Sequence, residues 1–118
     1  MEEGTPAKYK VIITRSAETF FYEVVEYIYE HHSLSKAEYL STSLKEAPRK
    51  LTTYPSRGAI EPRLAKYRER IYRYILFKRT YRADIKIIYY INEQTKEVYV
   101  TDFFPTEKDD SKISERNY

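Results

Sequence analysis

The side chains best suited to act on a ligand are cationic, and they are unevenly placed. Between Arg57 and Tyr90 stand ten lysines and arginines, with Arg73, Arg82 and Lys86 among them, against only Glu61, Glu69 and Asp84. This stretch carries +7 and the remainder −4, within an overall charge of +3. Such a segregated field attracts a polyanion or an acidic protein, which the whole-chain average conceals. Tyrosines, fourteen in all, interleave with these cations. Rings beside cations suit single-stranded RNA, whose bases stack and whose phosphates meet charge.

Other chemistries lack their residues. With no cysteine, disulfides, thiolate metal sites and a cysteine nucleophile are excluded. Neither a Gly-rich phosphate loop, a His-x-x-x-His pair nor a Gly-x-Ser-x-Gly elbow occurs, so neither metal nor cofactor is expected. His31 and His32 sit together at the end of a predicted helix, where an imidazole pair reads as a solvated terminus rather than an acid–base couple.

The elements that must position the cations follow from hydrophobic period. At 118 residues, 42% hydrophobic and 33% charged, the chain supports one folded core and not two. Residues 9–15 are β-branched and close at Ser16, a predicted N-cap. Over residues 17–31 the apolar positions Ala17, Phe20, Phe21, Val24, Val25 and Ile28 recur at helical steps between glutamates, giving an amphipathic, acidic helix. Ser35 with Glu38 reads as a capping box for a second helix, which Pro48 must kink or break because it lacks an N–H donor. Residues 56–70 read as a connection with at most a turn or an edge strand. Strands are predicted at 71–77, 85–91 and 98–104, joined by short polar loops that imply an antiparallel meander. The expected organisation is a flexible segment 1–8, a domain 9–104 and a polar tail 105–118 that forms a short helix at best and frays. The fold class is α+β, in the order β-α-α-β-β-β, with a helical hairpin packed on an antiparallel sheet.

Period-two alternation places Ile85, Ile87, Tyr89 and Ile91 toward the helices and Lys86, Ile88 and Tyr90 on the other face. With Tyr72, Tyr74 and Leu76 taken as inward, Arg73, Ile75, Phe77, Tyr99, Thr101 and Phe103 join the open face. That face is then both basic and apolar, a combination that marks an interface.

Several of these features together resemble the RelE/ParE toxin superfamily over residues 8–108. They are the element order, the run Tyr72-Arg73-Tyr74-Ile75-Leu76-Phe77 followed by Ile85-Lys86-Ile87-Ile88-Tyr89-Tyr90-Ile91, the hairpin ending Leu51-x-x-Tyr-Pro-x-x-Gly58, and the closing strand Val98 to Phe104. The resemblance implies a toxin of a type II toxin–antitoxin pair, neutralised by a cognate antitoxin. Its target would be DNA gyrase in the ParE-like branch, or messenger RNA on the ribosome in the RelE-like nuclease branch. For the nuclease branch the resemblance implies catalytic roles for Lys86 and Arg73, stabilising the charge of the transferring phosphate. After Phe104, however, the sequence reads Pro105-Thr106-Glu107-Lys108, where those nucleases offer an arginine or histidine and then a tyrosine. The ParE-like branch is therefore favoured, with the ribosome-dependent endonuclease and a non-catalytic RNA-binding module as alternatives. The expected surface for target or antitoxin comprises Arg73, Ile75, Phe77, Arg82, Lys86, Tyr90, Tyr99 and Phe103. Either a homodimer or a toxin–antitoxin hetero-oligomer fits. No apolar run approaches the roughly 18 residues of a membrane helix, and the start Met1-Glu2-Glu3-Gly4 has no signal-peptide pattern, so a cytoplasmic location is expected.

Overall fold

The computed structural model describes residues 8–79, 83–116 and 118. Strand β1 (Lys10–Ile13) runs directly into helix α1 (Arg15–His31), and helix α2 (Leu34–Glu46) follows after a short turn. Each helix begins one hydroxyl earlier than the sequence predicts. Thr14 caps α1, its Oγ1 accepting from the Ala17 amide at 3.2 Å, and Ser33 caps α2 by accepting from the Lys36 amide at 3.1 Å. In both places two hydroxyls lie two residues apart, and capping by the first lets the predicted cap residue join the opening turn, adding backbone bonds. Ser16, released from capping, donates to the Thr101 carbonyl at 3.3 Å and ties the start of the helix to the sheet.

Regular helix ends at Glu46, and the chain tightens into a 3₁₀ helix at Ala47–Thr52 with Pro48 in its first turn. This is the break that a proline without a donor requires. Beyond it come a two-residue strand β2 (Ala59–Ile60), a 3₁₀ turn (Pro62–Leu64), β3 (Arg73–Lys78), β4 (Asp84–Asn92), β5 (Glu97–Pro105) and a final 3₁₀ helix (Asp110–Glu115). The five strands lie in the order β1-β5-β4-β3-β2. All neighbours are antiparallel except β1, which pairs parallel to β5 with Lys10 opposite Glu97. The sheet is thus mixed rather than wholly antiparallel.

Two cores hold the sheet. On one face, Ala17, Phe21, Val24 and Ile28 of α1 and Leu40 and Leu44 of α2 pack on Ile85, Ile87, Tyr89, Val98, Val100 and Phe103. On the other, Leu64, Tyr72, Ile88, Phe104 and Ile113 form a second cluster flanked by Tyr74, Tyr90 and Tyr118. The segment beyond Pro105, which the sequence suggests frays, is placed against the outer face with Ile113 fully buried. A single apolar residue in a polar stretch gives no periodic signal, yet burying one isoleucine contributes about 2 kcal/mol. Of segment 1–8, only Lys8 lies within the described residues.

Gly58 lies where the connection approaches the sheet closely. A Cβ placed there would sit 2.7 Å from the Tyr74 carbonyl oxygen and closer still to the Tyr89 hydroxyl. That hydroxyl is buried, accepts from the Gly58 amide at 3.1 Å and donates to the Pro55 carbonyl, and burial pushes it above the ordinary tyrosine range. Gly58→Ala is therefore expected to lower stability by about 1–3 kcal/mol through overpacking, read as a fall in the urea midpoint at unchanged slope.

Candidate functional site

The strand register sorts the predicted surface residues onto opposite faces. Lys86, Tyr90 and Tyr99 lie on the face away from the helices: Lys86 pairs across from Leu76 and Phe104, and Tyr90 from Tyr99. Arg73 stands opposite Tyr89, and Ile75 opposite Ile87, so β3 is turned over relative to the expectation. Arg73, Ile75 and Phe77 belong to the helix side, with Ile75 and Phe77 packed against the main core. Tyr72 and Tyr74 belong to the outer cluster. Both phases of β3 are apolar, so composition could not choose between them, and only the pairing with β4 does.

Phe103, expected on the open face, likewise lies on the helix side, where it meets Phe21 with ring centroids 5.4 Å apart. The reason is a β-bulge. Ile88 faces Asp102 but Tyr89 faces Val100, so Thr101 is an extra residue that inverts the alternation of β5 beyond it. Arg82 lies outside the described residues. Of the two histidines, His31 stacks on Tyr27 at 4.2 Å, and both are exposed at the end of α1, away from the sheet.

Nor is the outer face open. Lys86 is buried, and its ammonium donates to the fully buried Glu61 carboxylate at 2.8 Å. It also lies 4.4 Å from the centre of the Tyr74 ring and 3.6 Å from Asp110. The second Glu61 oxygen accepts from the Arg63 amide at 3.0 Å, capping the turn Pro62–Leu64. This one carboxylate thereby holds the connection down on the sheet and occupies the cation that seemed available for chemistry.

A second buried charge holds the C-terminal segment. Asp102, fully inaccessible, accepts two bonds from the Arg116 guanidinium at 3.1 Å each and a third from the Tyr118 hydroxyl at 2.6 Å. Arg116 also lies over the Phe20 ring at 3.8 Å. Burial raises the Asp102 carboxyl, opposed by Arg116 and Tyr118. Burial beside that carboxylate pushes the Tyr118 hydroxyl far above its ordinary range, so it stays a donor.

Where the cover ends, planar groups line up. The Arg70 guanidinium lies over Tyr90 at 4.2 Å, and Tyr90 stacks on Tyr99 at 5.1 Å with rings 18° from parallel. They border an open groove of about 540 Å³ that Arg73, Asn92, Glu69 and Glu93 also line. Among the described residues no cluster of histidine and carboxylate side chains is arranged to hold a metal ion.

Comparison with protein families matches residues 11–109 to one described as the ParE toxin of the type II toxin-antitoxin system, parDE. The match spans most of the domain, from β1 through β5. The chain belongs to the ParE toxin family. Neither the curated proteins nor the solved structures compared with it gave a match. No helix among the described residues of this ParE-family chain is long and apolar enough to cross a membrane.

Sequence reasoning missed Glu61, Asp102, Arg116 and Tyr118, the residues that organise the toxin's outer face. Asp102 did leave a signal, since an acid inside Val-Tyr-Val-Thr-Asp-Phe-Phe must be buried and needs a partner. Removing Lys86 as Lys86→Ala strands a buried carboxylate and should cost about 3–5 kcal/mol. Lys86→Met combined with Glu61→Gln should recover most of that loss in chemical denaturation, because the glutamine still caps Arg63. Asp102→Asn should accelerate amide exchange at residues 110–116 well before that of β4. Equal acceleration in both would show that the C-terminal segment is not held by this carboxylate.

Proposed function

We propose that this ParE-family toxin inhibits growth by acting on DNA gyrase and is neutralised by a cognate antitoxin. The observation that carries the reading is the placement of Arg73 and Lys86 on opposite faces of the sheet. Arg73 donates to the Gly58 carbonyl at 3.0 Å and Lys86 is consumed by Glu61, so the two cations do not converge on one scissile phosphate. Cleaving RNA needs such convergence, together with groups that move protons at the 2′-hydroxyl and the leaving oxygen. The exposed histidines at the end of α1 are on the helix side, and the buried carboxylates of the outer face are taken, Glu61 by Lys86 and Asp102 by Arg116 and Tyr118. An inhibitor that acts by binding needs no such constellation.

An antitoxin need not cover the middle of the outer face, which the chain already covers itself. Apolar side chains remain at the free edge of the sheet, where Ile60, Ile71 and Leu76 are 55%, 61% and 51% exposed. Beyond Tyr74, no strand pairs with the outer edge of β3 among the described residues. An extended antitoxin segment could add there through main-chain hydrogen bonds.

The purified toxin, incubated with gyrase and plasmid, is expected to block supercoiling or to accumulate cleaved DNA complexes while leaving messenger RNA on translating ribosomes intact. Codon-positioned RNA cuts with unimpaired supercoiling would overturn the gyrase reading in favour of the nuclease.

A further inference from the structure

Arg82 aside, which lies outside the described residues, the cations of the basic stretch fall into two groups. Lys78, Arg79 and Lys86 are paired with Asp84, Glu107 and Glu61. Arg57, Arg63, Lys66, Arg68 and Arg70 are exposed and Arg73 half-buried, and among the described residues none of these six joins an ion pair. Two of the neighbouring carboxylates are already paired with other cations. Glu61 is held by Lys86, Glu93 accepts from the Tyr9 hydroxyl at 2.7 Å and lies 3.3 Å from Lys96, and Asp109 caps Ser111 at 3.0 Å. Glu69, Asp109 and Glu97 join no ion pair among the described residues, Asp109 lying near Arg63 and Glu97 accepting from the Tyr99 hydroxyl, so three carboxylates are left to offset the six cations. Arginines dominate the set, and their planar, weakly hydrated forks suit phosphate.

A second feature adjoins this one. The guanidinium–ring–ring stack of Arg70, Tyr90 and Tyr99 borders the open groove that Arg73 also lines. An acidic protein segment would use the cations but has no use for a stacked platform. A nucleobase is the planar group that arrives with phosphates attached, and it is free to stack only where it is not already paired.

We propose that this edge of the molecule binds single-stranded nucleic acid, its phosphates on Arg63, Lys66 and Arg68 and its bases against the Arg70–Tyr90–Tyr99 stack. DNA and RNA strands share this chemistry, and the test separates them. The proposal does not rest on the gyrase reading, because binding is measured on the chain alone.

The experiment follows fluorescence anisotropy of the full chain with labelled oligothymidylate, oligouridylate and a duplex of equal length, over a salt series. Tighter binding of a single strand than of duplex supports the proposal, and the tighter of the two strands names the source. Arg63→Gln/Lys66→Gln/Arg68→Gln should weaken binding at least about tenfold at low salt and flatten the log–log salt slope by about 2, near 0.7 per lost phosphate contact. Tyr90→Leu should abolish the preference for single strands while keeping most of the salt slope. The charge-matched control Lys36→Gln/Lys45→Gln/Lys50→Gln, on the helical side, should leave affinity within about twofold. Equal weakening by that control, equal or tighter binding of duplex, or displacement of the oligonucleotide by polyglutamate of the same charge would each overturn the proposal, the last in favour of an acidic protein partner. Matching melting curves for all variants exclude unfolding as the cause.

Discussion

The contact on which the outer half of this molecule depends is the buried ion pair between Lys86 and Glu61. A lysine in the middle of a central strand must either point into water or find an anion, and here the anion arrives from a connection 25 residues away in sequence. Once Glu61 is drawn in, the turn Pro62–Leu64 lies against the sheet, Leu64 is buried beside Ile88 and Phe104, and the final 3₁₀ helix has a surface on which to seat Ile113. The electrostatic gain is small after desolvation. Its effect is positional: it fixes which way the connection runs.

The Asp102–Arg116–Tyr118 contact does for the C-terminal segment what Glu61 does for the connection. Both put a charge at the middle of an apolar strand face and recruit irregular chain to neutralise it. Neither covering segment has enough apolar surface to stay in place by burial alone, so polar specificity supplements a thin second core. The helix side needs no such device. Two amphipathic helices bury a full stripe there, and the aromatic contact between Phe21 and Phe103 sits within it.

What could be read from sequence follows the same division. The helices, the break at Pro48 and the three long strands are legible because each is a periodic pattern several residues long. The faces of β4 are legible for that reason too, since Ile85, Ile87 and Tyr89 alternate cleanly against Lys86. The phase of β3 is not, because Tyr74 and Ile75 are equally able to be buried. Beyond Thr101 the phase of β5 is lost to an inserted residue that leaves no compositional mark. The candidate site suffered most, because its sorting depended on those two phases. Lys86, Tyr90 and Tyr99 share a face, while Arg73, Ile75, Phe77 and Phe103 belong to the other. The free cations of 57–73 were visible as charge, but their freedom was not, since it depends on which carboxylates the fold had already taken.

Strand β1 carries a consequence for how the protein comes into being. Among the described residues its one strand partner is β5, and the register joins Lys10–Ile13 to residues 97–100. Strand β1 leaves the ribosome well before β5 and must wait for it, and neither Thr101 nor Phe103 is present to anchor α1 until then. Contacts of such long separation form late. The sheet cannot close before β5 has been made, so the first strand and helix are held in waiting through most of the domain's synthesis.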